Sequence, residues 1–358
     1  METYARELIP ALLEAEPALR MTSFVNRETH GAGGPWSELT EQVLVPVRAR
    51  RRFEWVRGEQ QLLPRLAARA GVDVLHSLAS TAPLWGRFRR VVTIHDLIYR
   101  IYPEAHFGLR ARGMSLLVPL AARRSDRIVA PSRSTRDDLI RLLGVPAAKI
   151  DVVPEGVSAE FAKPTPESEL RGRFELGGRS VVLTASAMRP HKNLGRLLDA
   201  WALLPAEWRP VLVLPGYSTE HEPELRAQAA ELGVTEDTRF VGWVPSADLE
   251  GLYRLASVFV YPSLYEGFGL PVLEAMAREL PVACSDRGAL REVAGDSAHI
   301  FDPESPEAIA KAIEDLQRDD ALVSRLRAAG RERANRFTWA ETARATLSSY
   351  AAALGSAT

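Results

Sequence analysis

A chain of 358 residues exceeds what one hydrophobic core usually organises, which predicts two domains of about 150–200 residues each. With 46% apolar and 25% charged residues, no apolar run near the ~20 residues of a membrane span, and an opening METYARELIPALL unlike a secretion signal, the composition excludes extended disorder and predicts a cytoplasmic globular protein. A net charge of −1 gives no broad field for nucleic acid, and the one cysteine, Cys284, can neither close an internal disulfide nor anchor a thiolate metal site.

In chain order, ETYARELIPALL places Tyr4, Leu8, Ile9, Leu12 and Leu13 on one helical face. Strand-containing segments follow at 21–25, 72–77, 90–96, 126–132 and 150–156, separated by polar loops and helical periods. The basic run Arg48–Arg57, with Phe53 and Trp55 interleaved, reads either as a solvated face or as a surface for lipid phosphates. Residues 1–163 carry a net +6 and the remainder −7, so an anionic partner suits the first half. FAKPTPESEL, residues 161–170, reads as a linker. Further strands are expected at 180–187, 210–216, 239–244, 257–263, 280–285 and 299–303. Their continuously apolar character predicts parallel sheets covered on both faces, so the fold class is α/β with two Rossmann-like domains, 1–163 and 164–337. In such sheets ligands sit beyond the carboxyl ends of the strands.

One such end carries EGFGLPVLE, residues 266–274. Pro271 suits the first helical position, so a helix starts near Leu270, and its unpaired amides point back at Gly267-Phe268-Gly269, where glycine lets backbone approach a ligand. An anion, above all a phosphate, is favoured there. Glu266 and Glu274 flank the turn, and carboxylates bond well to vicinal hydroxyls, which describes a sugar–phosphate–sugar ligand. The bland reading has Glu274 complementing the helix dipole and the glycines turning the chain.

A second strand end carries MRPHKN, where Arg189 and Lys192 would neutralise a diphosphate and stabilise it as a leaving group. No Walker A or dinucleotide-binding glycine pattern occurs. His95 and Asp96 end the strand at 90–96; the residues alone leave open a structural hydrogen bond or a ligand contact, and His76 sits analogously. Ser134 and Asp137 have capping-box spacing, Arg133 could reach a donor, and VVPEGV, containing Glu155, reads as a connecting turn.

The E-x7-E spacing with GFGLPVL inside it resembles the signature of retaining glycosyltransferase family 4, also called group 1, and the similarity extends from the N-terminal helix to RFTWAETA. The resemblance implies a GT-B fold, two facing Rossmann-like domains, with residues 338–358 forming a helix that returns to the N-terminal domain. It implies a hexosyltransferase whose Glu274 holds the donor ribose and whose Glu266 lies against the transferred sugar. Gly267, Phe268, Gly269 and Leu270 would line the sugar and phosphate pocket, with Arg189 and Lys192 on the pyrophosphate. Gly242, Trp243 and Val244, on the donor side with Tyr261, would hold the base. His95 and Asp96 would contact the sugar or acceptor, joining Glu266 as catalytic candidates.

No Asp-x-Asp occurs, so neither a metal nor any cofactor beyond the nucleotide-diphosphate sugar is expected. The implied acceptor is a glycan or lipid-linked hydroxyl, with peripheral membrane contact on the cytoplasmic face, and the RPHKN variant leans toward mannosyl transfer in polysaccharide biosynthesis. The chain departs from the family in three ways. A first strand and Gly-Gly loop that normally precede the opening helix do not appear, Glu155 stands where an asparagine is usual, and RPHKN replaces the commoner Gly-Arg form. The missing strand keeps a non-catalytic nucleotide-sugar binder in view, beside a GT-B epimerase or phosphorylase.

Overall fold

The computed structural model describes residues 2–103, 109–158 and 161–355, with the backbone alone at 109–112. The chain forms two compact units, Met1–Gly156 with Phe337–Thr358, and Val157–Arg336.

The first unit holds two parallel sheets. β1 (Thr22–Val25) pairs with β2 (Glu41–Leu44), and a separate sheet runs in the order β3 (Val74–Ser77), β4 (Arg89–Thr93), β5 (Arg127–Ala130), β6 (Ile150–Val152). The sequence reading missed β2: EQVL has one outward glutamate, no buried residue and no turn glycine to mark it. β1 and β3 are edges of different sheets. Against one side packs the opening helix Glu2–Ala15, whose Tyr4, Leu8 and Leu12 join Trp339 and Ala343 of the last helix, Trp339–Leu354, in one apolar cluster. The helix Arg133–Leu143 is capped by Ser132, which accepts from the Thr135 amide at 3.0 Å. Ser134 therefore lies inside the helix and is not its cap, because the chain turns helical one residue after the strand loop ends.

The second unit is one six-stranded parallel sheet. Its strands are β7 (Val181–Leu183), β8 (Val211–Pro215), β9 (Thr238–Gly242), β10 (Val258–Tyr261), β11 (Val282–Ser285) and β12 (His299–Phe301), in the order β12-β11-β10-β7-β8-β9. β7, β8, β10 and β11 are buried at every position, as strands sandwiched between helix layers must be. Leu194, Leu197, Leu198 and Trp201 of the helix Leu194–Leu203 cover one face with Ile309 and Ile313 of the helix Pro306–Arg318. Part of the stretch read as a linker belongs here: the helix Glu167–Arg173 starts within it, and Thr165 is tied to the helix Ser246–Leu255 through the Ala247 carbonyl and Asp248. Among the described residues no helix is long and apolar enough to cross a membrane.

Candidate active site

The site in the second unit is built by the alternation of β10. Val258 and Val260 point into the apolar core, which sends Phe259 and Tyr261 to the opposite face. Phe259 lies between two tyrosines, its ring centroid 5.8 Å from Tyr261 and 5.7 Å from Tyr253 of the helix Ser246–Leu255. Each tyrosine hydroxyl meets one of the two glutamates. Tyr253 donates to Glu274 Oε2 at 3.0 Å, and Tyr261 stands beside Glu266, the two accepting from the same Lys192 Nζ at 2.9 and 2.6 Å. The two carboxylates thus share one side of β10.

The turn between them is shaped by contact. Gly269, at φ 108°, precedes the helix Leu270–Ala277, and a Cβ there would stand 2.6 Å from Leu290 Cδ2. Pro271, which has no N–H to leave unpaired, occupies the first turn, and the Val272 amide donates to the Gly269 carbonyl at 3.0 Å. Gly288 holds the loop from behind: a Cβ would meet the Glu266 carbonyl oxygen at 2.7 Å, and the Ala289 amide donates to that oxygen at 3.1 Å.

The RPHKN turn locks onto this loop. After a 3-10 turn, Pro190–Lys192, Asn193 adopts a left-handed conformation at φ 60°, and its side-chain Nδ2 donates to the Pro262 carbonyl at 3.1 Å and the Pro303 carbonyl at 2.8 Å. The Leu264 amide donates to the His191 carbonyl at 2.8 Å. Lys192 Nζ therefore reaches Glu266 Oε1 at 2.6 Å and the Tyr261 hydroxyl at 2.9 Å. Burial alone would lower the Lys192 ammonium's pKa, but the Glu266 carboxylate and the Tyr261 hydroxyl hold it above its ordinary value. Burial opposes ionisation of Glu266 too, and the charges of Lys192 and His191 outweigh it, leaving the carboxyl below its usual range. Tyr261 and Tyr253 are pushed up, first by burial and then by their glutamates.

Other expected residues sit at neighbouring strand ends. Arg189 opens the same turn, three positions before Lys192. Gly242 ends β9 at φ 70°, and its carbonyl accepts from the Gly216 amide at 2.8 Å. Gly216 is packed so closely that a Cβ would lie 1.7 Å from the Ser186 carbonyl oxygen, which makes the ends of β7, β8 and β9 one surface. Val244 is buried, whereas the Trp243 ring is 62% exposed.

In the first unit His95 and Asp96 follow β4. His95 Nδ1 lies 2.9 Å from Glu155 Oε1 and Nε2 lies 3.0 Å from the Leu78 carbonyl, with Tyr4 edge-on at 5.0 Å. Glu155, read as part of a turn, is thus the partner of His95. Asp96 Oδ1 accepts from the Ile98 amide at 3.0 Å, capping the turn that follows. His76 bridges Thr93, at 2.7 Å, and Tyr350, at 2.8 Å, as an internal strut. Sequence reasoning also missed Asn193, Gly216, Gly288 and Tyr253; a left-handed asparagine before a helix was the one visible signal among them.

Comparison with known proteins gives the geometry its context. A profile described as "Glycosyl transferases group 1" matches residues 167–333, and one described as "Glycosyltransferase Family 4" matches residues 1–161. O-antigen chain mannosyltransferase B of Escherichia coli is 35% identical over 267 residues, covering 73% of this chain and 70% of its own length. A D-inositol 3-phosphate glycosyltransferase of Xylanimonas cellulosilytica is 36% identical over 64% of this chain and 57% of its own. The serotype-specific mannosyltransferase WbdA of Escherichia coli is 30% identical over 72% of this chain, which spans 32% of that longer protein. In fold, sucrose-phosphate synthase of Thermosynechococcus elongatus matches with a TM-score of 0.77 at 22% identity, covering 97% of this chain and 92% of that one. Anabaena HepE in complex with UDP and glucose matches at 0.75 and 20% identity, over 97% of this chain and 95% of that one. Two parallel-sheet units, each matched by its own profile, and a paired-glutamate turn at the strand ends of the second identify the chain as a member of the group 1, family 4 glycosyltransferases, which take a sugar from a nucleotide sugar.

Proposed function

We propose that the chain transfers a mannosyl residue, with retention, from a nucleotide-diphosphate mannose to a hydroxyl of a glycan or lipid-linked acceptor. The observation that carries this reading is the buried Lys192–Glu266 pair beside the Gly267–Leu270 turn: a cation and a carboxylate meet where a strand end leads into a helix start. Mannose is favoured by the 35% identity to a mannosyltransferase.

In the proposed reaction the bond from the sugar's anomeric carbon to the diphosphate breaks, and the acceptor oxygen bonds to that carbon on the same face. The acceptor proton passes to the departing diphosphate oxygen. Lys192 and Arg189 stabilise the leaving diphosphate, Glu266 orients the sugar, Glu274 holds the ribose, and residues 242–244 meet the base. His95 and Asp96 serve the acceptor side. Both ring nitrogens of His95 already face internal acceptors, Glu155 and the Leu78 carbonyl, so the ring works by holding those two segments together more than as a free base.

The test is incubation with GDP-mannose and a mannose-terminated acceptor, with the product's anomeric configuration read by NMR. An inverted linkage, or full transfer by Glu266→Ala, would overturn the reading.

We also propose that the chain works against the cytoplasmic face of a membrane through the helix Arg52–Arg57, where Phe53 is 93% exposed among Arg48, Arg50, Arg51, Arg52 and Arg57. Sedimentation with phosphatidylglycerol vesicles, compared between the wild type and Phe53→Asp, tests that surface; equal recovery of both would exclude it.

A further inference from the structure

Glu266 and Lys192 are buried and neutralise each other. If Lys192 turns to the donor diphosphate, as the reading above has it, Glu266 loses its cation at the moment it must orient the sugar. A buried carboxylate left without a partner is strongly disfavoured. The groups facing Glu266 are Lys192, His191, Ser263 and Tyr261. Tyr261 differs from the others in touching both members of the pair. Its hydroxyl oxygen accepts from Lys192 Nζ at 2.9 Å, next to Glu266 Oε1 at 2.6 Å from the same nitrogen, so the hydroxyl's one proton is free to turn to the carboxylate.

We infer that Tyr261 is the positioning residue of Glu266: it holds the carboxylate ionised and in place while Lys192 changes partner from glutamate to diphosphate. This rests on the assignment of Glu266 to the donor sugar. The tyrosine is suited to the part because it cannot follow the lysine. It is 2% exposed, sits in a strand paired on both sides, in register with Cys284 of β11, and stacks on Phe259 at an interplanar angle of 18°. Lys192 Nζ stands 5.3 Å from the ring centroid and approaches from a separate turn, so its departure leaves the ring's supports intact. A hydroxyl also has the right proton count. It accepts while the lysine is present and still donates when the lysine has gone.

Tyr261→Phe keeps the ring and removes the hydroxyl. With GDP-mannose as the probe, kcat is expected to fall at least about tenfold with KM within about twofold, and the acid limb of the kcat profile to move to higher pH. A second measurement needs no substrate. The Glu266 carboxyl, assigned by its loss in Glu266→Gln, is titrated by carbon-13 NMR in the wild type, Tyr261→Phe, Lys192→Met and the double variant. Its midpoint is expected to rise in Tyr261→Phe, and to rise in the double variant by about one pH unit or more over Lys192→Met. An unchanged midpoint in Tyr261→Phe, or a kcat that falls only in proportion to the folded fraction while its acid limb stays in place, would overturn the assignment. If Lys192→Met does not fold, the comparison of wild type with Tyr261→Phe decides alone. Should the wild type not turn over GDP-mannose, the mannosyl reading fails, while the titration still settles what Tyr261 does for Glu266.

Discussion

Lys192 Nζ lies 2.6 Å from Glu266 Oε1, with only 14% and 11% of the two side chains exposed, so each charge is the other's compensation. Removing one partner strands a charge in low dielectric, and Lys192→Ala or Glu266→Ala is expected to cost about 3–5 kcal/mol in urea denaturation. Lys192→Met combined with Glu266→Leu should recover most of that stability and no transfer. Because the Glu266 carboxyl is held below its usual value, its contribution is complete above the unfolded-state pKa of 4.5 and is lost as pH falls through the folded value.

Tyr253 donates to Glu274 and lies under the Arg278 guanidinium, 4.6 Å from its ring centroid, while Arg278 Nε is 2.7 Å from the buried Glu250. Tyr253→Phe removes the hydrogen bond that fixes Glu274 without opening the core. Donor KM is expected to rise about tenfold, near 1.4 kcal/mol, with kcat preserved. Steady-state kinetics against donor concentration reads this directly, and a loss confined to kcat would contradict the ribose assignment.

Asn193 joins three strand-end loops through one side-chain amide. Asn193→Ala leaves two buried carbonyls unpaired and places alanine at a positive φ, so about 2–4 kcal/mol of destabilisation is expected. Asn193→Gly relieves the backbone term alone and should be milder. Thermal denaturation of the three proteins side by side separates the two contributions.

His76 is held down to about 3, chiefly by burial and then by the charge of His95. The unfolded chain takes up a proton near 6.5 that the folded one refuses, so the full stability is present above pH 6.5 and declines as pH falls from 6.5 toward 3. The expected slope is about 1.4 kcal/mol per pH unit for this one proton. His76→Gln, which keeps a hydrogen-bonding side chain, should flatten it in denaturation midpoints measured across that window.

The sequence spoke most clearly where one residue type has few alternatives. Unbroken apolar strands, a proline at a helix start and glycines beside acids left few readings of 258–277, and the helix does begin at Leu270. It was silent where partners are distant in the chain. Nothing in VVPEGV shows that Glu155 faces His95, sixty residues away, and nothing in Tyr253 shows that it faces Glu274, because such pairs are fixed by strand order and helix docking. β2 was illegible for another reason: a short, partly exposed edge pair has no continuous apolar run to betray it. Gly216 and Gly288 looked like ordinary turn glycines, and the backbone they press against is visible only in three dimensions.

The docking of Trp339 and Ala343 on Tyr4, Leu8 and Leu12 sets an order of events during synthesis. The unit that contains Met1–Gly156 lacks part of its core until the helix Trp339–Leu354 has been made, whereas Val157–Arg336 is an uninterrupted stretch that can close as soon as it clears the tunnel. Until then Tyr4, Leu8 and Leu12 of its opening helix lack the two residues that cover them.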